Sequence, residues 1–231
     1  MSLLALGLFA TAAIALGPTE NTRITTEPKA GSERPATPDE AIAELVAGNK
    51  RYQAGKNEST NPVEARTSLA AGQAPFAAVI RCADSRVAPE IVFDQPLGDL
   101  FVCGVAGNIP TTEIIASLEF GVAVLGAKVI VVMGHSACGA VDAAITHQKD
   151  TSPLPGSLPG LIDRIIIPCA VDMKPDDPAD LKKAIECNAN VGITHLMSRS
   201  EVLSKAVADG DLKIIAGVQD LKTGKFSITR R

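Results

Sequence analysis

Four short apolar runs constrain this chain more than any other feature: Phe76 to Ile80, Leu100 to Cys103, Val129 to Met133 and Ile214 to Val218. They are continuous rather than alternating, the pattern of strands covered on both faces. Helical stretches separate them: Glu113 to Leu125, Cys138 to His147, Leu158 to Ile167 and Leu181 to Ala208. Strands alternating with helices predict an α/β fold, a mainly parallel β-sheet flanked by helices. Sites in such sheets form at the carboxyl ends of the strands. The residues that follow each run are therefore the ones to read for chemistry.

The first run stops in "RCADSR", which presents Cys82, Asp84 and Arg86 in alternation. The third run ends in "GHSACGAV", where His135 and Cys138 flank two residues across a turn that opens a helix. Each half alone is weak, because a cysteine at a strand end is usually a small buried hydrophobe. Both halves on neighbouring parallel strands give two thiolates and one imidazole, a soft donor set suited to zinc. Asp84 stands two residues from Cys82, and Arg86 lies on the same side of an extended chain, able to hold the carboxylate through its fork. An aspartate held in that way stays ionised and can accept a proton from zinc-bound water. Released, it could take the fourth position on the metal itself. The same residues thus permit an open, catalytic site or a closed one. An open site lowers the pKa of bound water and supplies a nucleophile for a small electrophilic carbon. Two thiolates donate charge to the metal, so better activity is expected at alkaline pH.

Outside this core the chain divides into three parts. Residues 3–17, "LLALGLFATAAIALG", are apolar and uncharged but, at about 15 residues, short for a membrane span. Residues 1–17 read as a signal peptide or membrane anchor, with Ala13 and Ala15 as small residues for cleavage and no positive n-region. The expectation is export to a periplasmic or other extracytoplasmic space, with a membrane tether through residues 3–17 if the segment is kept. Residues 18–36 are polar and rich in Thr, Pro and Glu, a flexible linker. Residues 37–231 form the domain. It opens with Thr37 as N-cap and Pro38 at the first helical position, followed by Ile42, Leu45, Val46, Asn49 and Tyr52 at helical spacing. Such an outlying amphipathic helix is expected to pack on a partner subunit, although packing on its own domain is the commoner case.

A formal net charge of −4 without a basic run argues against nucleic-acid binding and for a small-molecule partner. Cysteines at 82, 103, 138, 169 and 187 are odd in number and irregularly spaced, so a disulfide framework is not expected. Cys103, Cys169 and Cys187 read as buried thiols; in an exported protein a redox-sensitive pair among them stays open. His147, among Gln148, Lys149 and Asp150, reads as solvated, and His195 as a core or interface histidine.

"CADSR" followed by "GHSACGAV" resembles the β-class carbonic anhydrases. "PEIVFDQPLGDLFV", "AGN", "SLEFGVAVLGAKVIVVM" and the late "DLKTGK" carry the likeness over roughly residues 38–228. The resemblance implies zinc, one ion per subunit, on Cys82, His135 and Cys138. It implies an Asp84–Arg86 dyad controlling the fourth position, and reversible hydration of CO2 to bicarbonate by a zinc-bound hydroxide. It further implies substrate-binding roles for Gln73, Phe101, Ala106, Phe120 and Gly139, and a homodimer or higher homo-oligomer embraced by the Thr37 helix. Three positions depart from the pattern. Gly104 replaces an arginine that the family usually carries shortly before its Asn, and which in some relatives helps hold bicarbonate at an inhibitory site. Phe120 and Gln219 stand where tyrosine is usual. None of these removes a ligand or the dyad. Two other readings stay open: a hydrolase of carbonyl sulfide or carbon disulfide, and a zinc-binding scaffold or bicarbonate-responsive subunit with a closed metal site.

Overall fold

The structure, a computed structural model, describes residues 34–59 and 65–231. The proposed signal or anchor and nearly all of the linker lie outside these residues.

Five strands form one sheet in the order β2-β1-β3-β4-β5: β1 (Ala77–Arg81), β2 (Leu100–Gly104), β3 (Val129–His135), β4 (Lys213–Gln219) and β5 (Phe226–Arg230). The first four are the apolar runs, and they pair in parallel as expected. The fifth was not expected and pairs antiparallel with β4. Its sequence, FSITR, is polar and half-exposed, so it carries none of the continuous hydrophobicity that marks the others.

Alternation along β1 shows why a buried strand is apolar at every position. Ala78 and Ile80 face a core built with α4 (Thr112–Ala123), α7 (Pro178–Arg199) and α8 (Glu201–Ala208), including Leu118, Ile193, Leu196 and Leu203. Ala77 and Val79 face the other layer with α1 (Pro38–Gln53), α3 (Pro89–Val92) and Phe93. A third cluster gathers above the sheet end around α5 (Gly139–Thr146) and α6 (Leu158–Ile165). The short α2 (Ala65–Ala70) buries no residue.

The first helix starts as read: Thr37 and Glu40 form a reciprocal capping box, with Pro38 inside the first turn. Its apolar stripe, however, covers its own sheet. Ala41, Ile42 and Leu45 are buried against that layer. A Cβ on Gly48 would sit 1.8 Å from the Phe93 carbonyl oxygen, so the helix lies directly on the turn after α3. Asn49, part of the stripe, donates to the Val92 and Gly224 carbonyls and accepts from the Phe226 N–H. A buried polar residue is tolerated there because its hydrogen bonds are made.

The stretch 181–208 is two helices rather than one. Ser200 leaves helical geometry, and its Oγ accepts from the Leu203 N–H to cap α8 while donating to Glu119 at 2.6 Å. Local competition by a serine side chain broke the helix where the periodic pattern ran on. After α6 the chain passes into a wider turn, Ile166–Ala170.

That turn corrects the cysteine reading. Cys169 and Cys187 are joined by a disulfide, with Cα atoms 5.6 Å apart. Cys103 is a buried free thiol as expected, its pKa pushed up to about 11 by burial. The pairing of 169 with 187 depends on α7 packing across the turn, and a separation of 18 residues carries no local spacing signal.

Candidate metal centre

In this sheet the chain moves from β1 to the edge strand β2, then crosses to β3 on the other side of β1. The order therefore reverses between β1 and β3, and the crevice outside their carboxyl ends is the expected site. Arg81 pairs with Met133, which places Cys82 level with Gly134 and next to His135. The turn after β3 then carries Cys138 back over the same point. Ala137 within it has φ +54, a left-handed bend that lets the turn close before α5 begins.

The donor atoms of Cys82, His135 and Cys138 all lie within 4.8 Å of one another, and all three residues are buried. Cys82 Sγ and Cys138 Sγ are 4.0 Å apart. Two sulfurs on a tetrahedral zinc, with bonds of about 2.3 Å, stand roughly 3.8 Å apart. His135 Nε2 is buried without a hydrogen-bond partner, whereas Nδ1 lies 2.9 Å from the Ser136 carbonyl oxygen. Nδ1 thus carries the proton and Nε2 offers its lone pair, the usual arrangement of a metal-binding imidazole. The Ser136 turn is itself tied down, since its hydroxyl accepts from the Leu221 N–H. The residues present fit a zinc ion.

The three side chains also act on one another. Cys138 donates toward Cys82, and that contact, helped by His135 and the Gly107 N–H, holds the Cys82 thiol well below its ordinary pKa. Cys138 is pushed up by the thiolate beside it and by burial. Burial works against charge on His135, yet the Cys82 sulfur, the Ser136 carbonyl oxygen and the Asp84 carboxylate together outweigh it and raise the imidazole. The two sulfurs thus share one negative charge and one proton at 4.0 Å, and a cation between them would let both ionise.

Asp84 stands at the rim. Arg86 donates to it from Nε at 2.9 Å, from Nη2 at 2.7 Å and from its backbone N–H at 2.9 Å. This grip holds the carboxyl well below the usual carboxylate range. Its Oδ2 is 3.8 Å from His135 Nε2, near the ligands but turned to the arginine.

Residues 77–226 match the carbonic anhydrase family. Carbonic anhydrase 2 of Mycobacterium tuberculosis is 37% identical over 187 residues, covering 78% of this chain and 87% of that protein. The chain belongs to the β-class carbonic anhydrases. The family's reaction is the hydration of CO2, its metal is zinc, and the class is a lyase. The carbonic anhydrase of Pseudomonas aeruginosa is 34% identical over 168 residues, 69% of this chain and 75% of that one. Among solved structures, a tetrameric β-carbonic anhydrase from Sordaria macrospora superposes with a TM-score of 0.64 at 24% identity, over 82% of this chain and 93% of that one.

Of the other residues singled out in this β-carbonic anhydrase, Gly139 opens α5 beside Cys138, is exposed, and a side chain there would meet nothing within 4 Å. Ala106 adjoins Gly107, whose N–H reaches the Cys82 sulfur. Within the chain, Phe101 and Phe120 stand away from the ligands. Gln73 is exposed and precedes β1. Phe101 is level with Ala78, four residues and about 13 Å before Cys82. It packs on Phe120, ring centroids 6.3 Å apart, and Phe120 is half-exposed on α4.

Gly104 has a structural counterpart. It pairs with Arg81, and a Cβ on it would lie 3.4 Å from the Arg81 guanidinium carbon. The space above Gly104 is thus filled by an arginine from the neighbouring strand, which donates to the Cys82 carbonyl at 2.8 Å. Gln219, the other departure, pairs with His135 and is buried. Sequence reasoning missed Ser136 and Gly107 as supports of the ligands, because each reaches its ligand through a backbone group, which leaves no local spacing signal.

Proposed function

We propose that this chain catalyses reversible hydration of CO2 to bicarbonate and a proton, with Cys82, His135 and Cys138 holding zinc and Asp84 and Arg86 as the catalytic dyad. The observation that carries this reading is the position of Asp84, ionised and held by Arg86 within 4 Å of the free histidine nitrogen. A zinc ion held by Cys82, His135 and Cys138 would supply a Lewis acid able to make water a nucleophile near neutral pH. Arg86 keeps the Asp84 carboxylate turned away from the metal position and charged. Asp84 can then accept a hydrogen bond or a proton at the open face of the site. Gly139, without a side chain, leaves that face clear for a small linear substrate, and Ala106 lies beside it. The grip of Arg86 on Asp84 favours the open site over a closed scaffold.

A homodimer or higher oligomer completes this reading. Phe120 on α4 and Val124 at its C-cap, exposed at 47% and 63%, lie beside the edge strand β2. A second copy on that side would cover them and bring its Gln73, Phe101 and Phe120 into play at the neighbouring site. Export is supported by the Cys169–Cys187 disulfide, a bond that persists in oxidising compartments.

The test is CO2 hydration followed by stopped flow on the zinc-loaded protein from neutral to alkaline pH. Activity that rises with pH and disappears in Asp84→Ala, at unchanged zinc content, supports the reading. A background rate with stoichiometric zinc overturns it.

A further inference from the structure

The sulfur of Cys82 has a neighbour that the proposed reaction does not use. Gly107 donates its N–H to Cys82 Sγ at 3.3 Å. The aim of that donor depends on the turn Ala106–Asn108, in which Gly107 has φ +72. A Cβ on Gly107 would meet Ile165 Cδ1 at 2.6 Å and Ala140 Cβ at 3.4 Å, so the turn is packed between α6 and α5, and its positive φ favours glycine. Glycine also has the most freedom to rotate away, and its carbonyl is fixed from a third direction. Asn188, 6% exposed on α7, donates from Nδ2 to the Gly107 oxygen at 2.7 Å.

We propose that Asn188 is a positioning residue for the metal centre, holding Gly107 so that its N–H stays on the Cys82 sulfur. This rests on the reading of Cys82 as a zinc ligand. The N–H and C=O of Gly107 belong to different peptide groups, so the coupling is geometric rather than electronic. With the oxygen anchored, rotation about the glycine is blocked and the N–H keeps its aim. A donor on a thiolate draws off negative charge and sets how much the sulfur gives to the metal. The disulfide braces the same arrangement. Cys169 follows Ile165 on the strand of chain that wedges Gly107, and Cys187 directly precedes Asn188.

The experiment compares the wild-type chain with Asn188→Leu, which is near-isosteric but has no donor. Leu196→Ala, a buried residue on the same helix remote from the ligands, serves as the control for general loss of stability. Zinc affinity is read by chelator competition, and the cobalt-substituted proteins by their near-ultraviolet thiolate-to-cobalt absorption. Asn188→Leu is expected to weaken zinc binding roughly 10- to 100-fold and shift the cobalt band. Leu196→Ala should lower Tm while leaving both unchanged. Wild-type affinity and an unshifted band in Asn188→Leu, whatever its Tm, overturn the proposal. Asn188→Ala, which also lacks a donor, provides the same readout if the leucine variant does not fold. A wild-type protein with no thiolate-to-cobalt band overturns the ligand assignment itself, and is distinct from a normal wild type with an unaffected variant.

Discussion

Arg86 holds Asp84 by three hydrogen bonds of 2.7 to 2.9 Å, and it does so from the rim, with its own side chain 55% exposed. The carboxylate it restrains is 3.8 Å from the histidine that the metal needs. A solvent-facing guanidinium therefore sets the orientation of this carboxylate, since nothing else among the described residues donates a side-chain hydrogen bond to Asp84.

Arg86→Ala should lower CO2 hydration by about 10²-fold or more, within the range for loss of a positioned proton acceptor, while zinc content stays at wild type. Arg86→Lys should recover little, because a lysine cannot reproduce the two-pronged contact. Stopped-flow rates with metal analysis on the same samples check this. Activity near wild type in Arg86→Ala would show that Asp84 needs no restraint.

Acid stability should depend on Asp94. This buried carboxylate is opposed by desolvation, yet Arg51 and the N–H groups of Glu58 and Ser59 outweigh it and hold the pKa below its ordinary value. A depressed folded pKa means that its stabilisation is complete above the unfolded value of about 4 and is lost as pH falls through the folded one. Urea midpoints from pH 7 to pH 3 should fall below about pH 4 in the wild type. Asp94→Asn should start lower, by about 1–3 kcal/mol, and fall less.

Breaking the disulfide should lower stability by about 3 kcal/mol, from the loop entropy of an 18-residue separation. Cys187→Ser, or the wild type in reductant, is compared with the oxidised protein by thermal unfolding. Equal Tm values would show that the bond adds no net constraint. Cys103, 7% exposed, should resist alkylation until the protein unfolds in either state.

Gly104 and Arg81 should behave as a coupled pair. Gly104→Arg places a new side chain against the Arg81 guanidinium and should destabilise by about 1–3 kcal/mol. Adding Arg81→Gly should restore about 1 kcal/mol or more of that loss, measured as a double-mutant cycle. Additive effects would mean that the two positions do not share one space.

Much of the site was legible because its chemistry is concentrated at strand ends. The apolar runs announced β1 to β4, and the chain leaves a buried parallel strand only at its ends, so Cys82 and His135 had to emerge at one edge of the sheet. The fifth strand escaped because a polar, half-exposed segment needs β4 beside it to be a strand at all. The break at Ser200 escaped because helical periodicity continues through it, while one hydroxyl bond to Glu119 and one to the Leu203 N–H settle the matter locally.

By itself, the sequence determined the α/β class and the family, and it pointed to the Cys82, His135 and Cys138 cluster and to the Asp84–Arg86 pair, since each is written in residue types at short spacing. Only the tertiary structure decided the rest. It turned the stripe of the first helix onto its own sheet, paired Cys169 with Cys187, laid Arg81 over Gly104, and anchored Gly107 on Asn188, 81 residues away. Those contacts join segments distant in the chain, and most of them run through backbone groups or through the space a missing side chain leaves. Neither has a signature in the order of amino acids, because packing alone selects which backbone meets which.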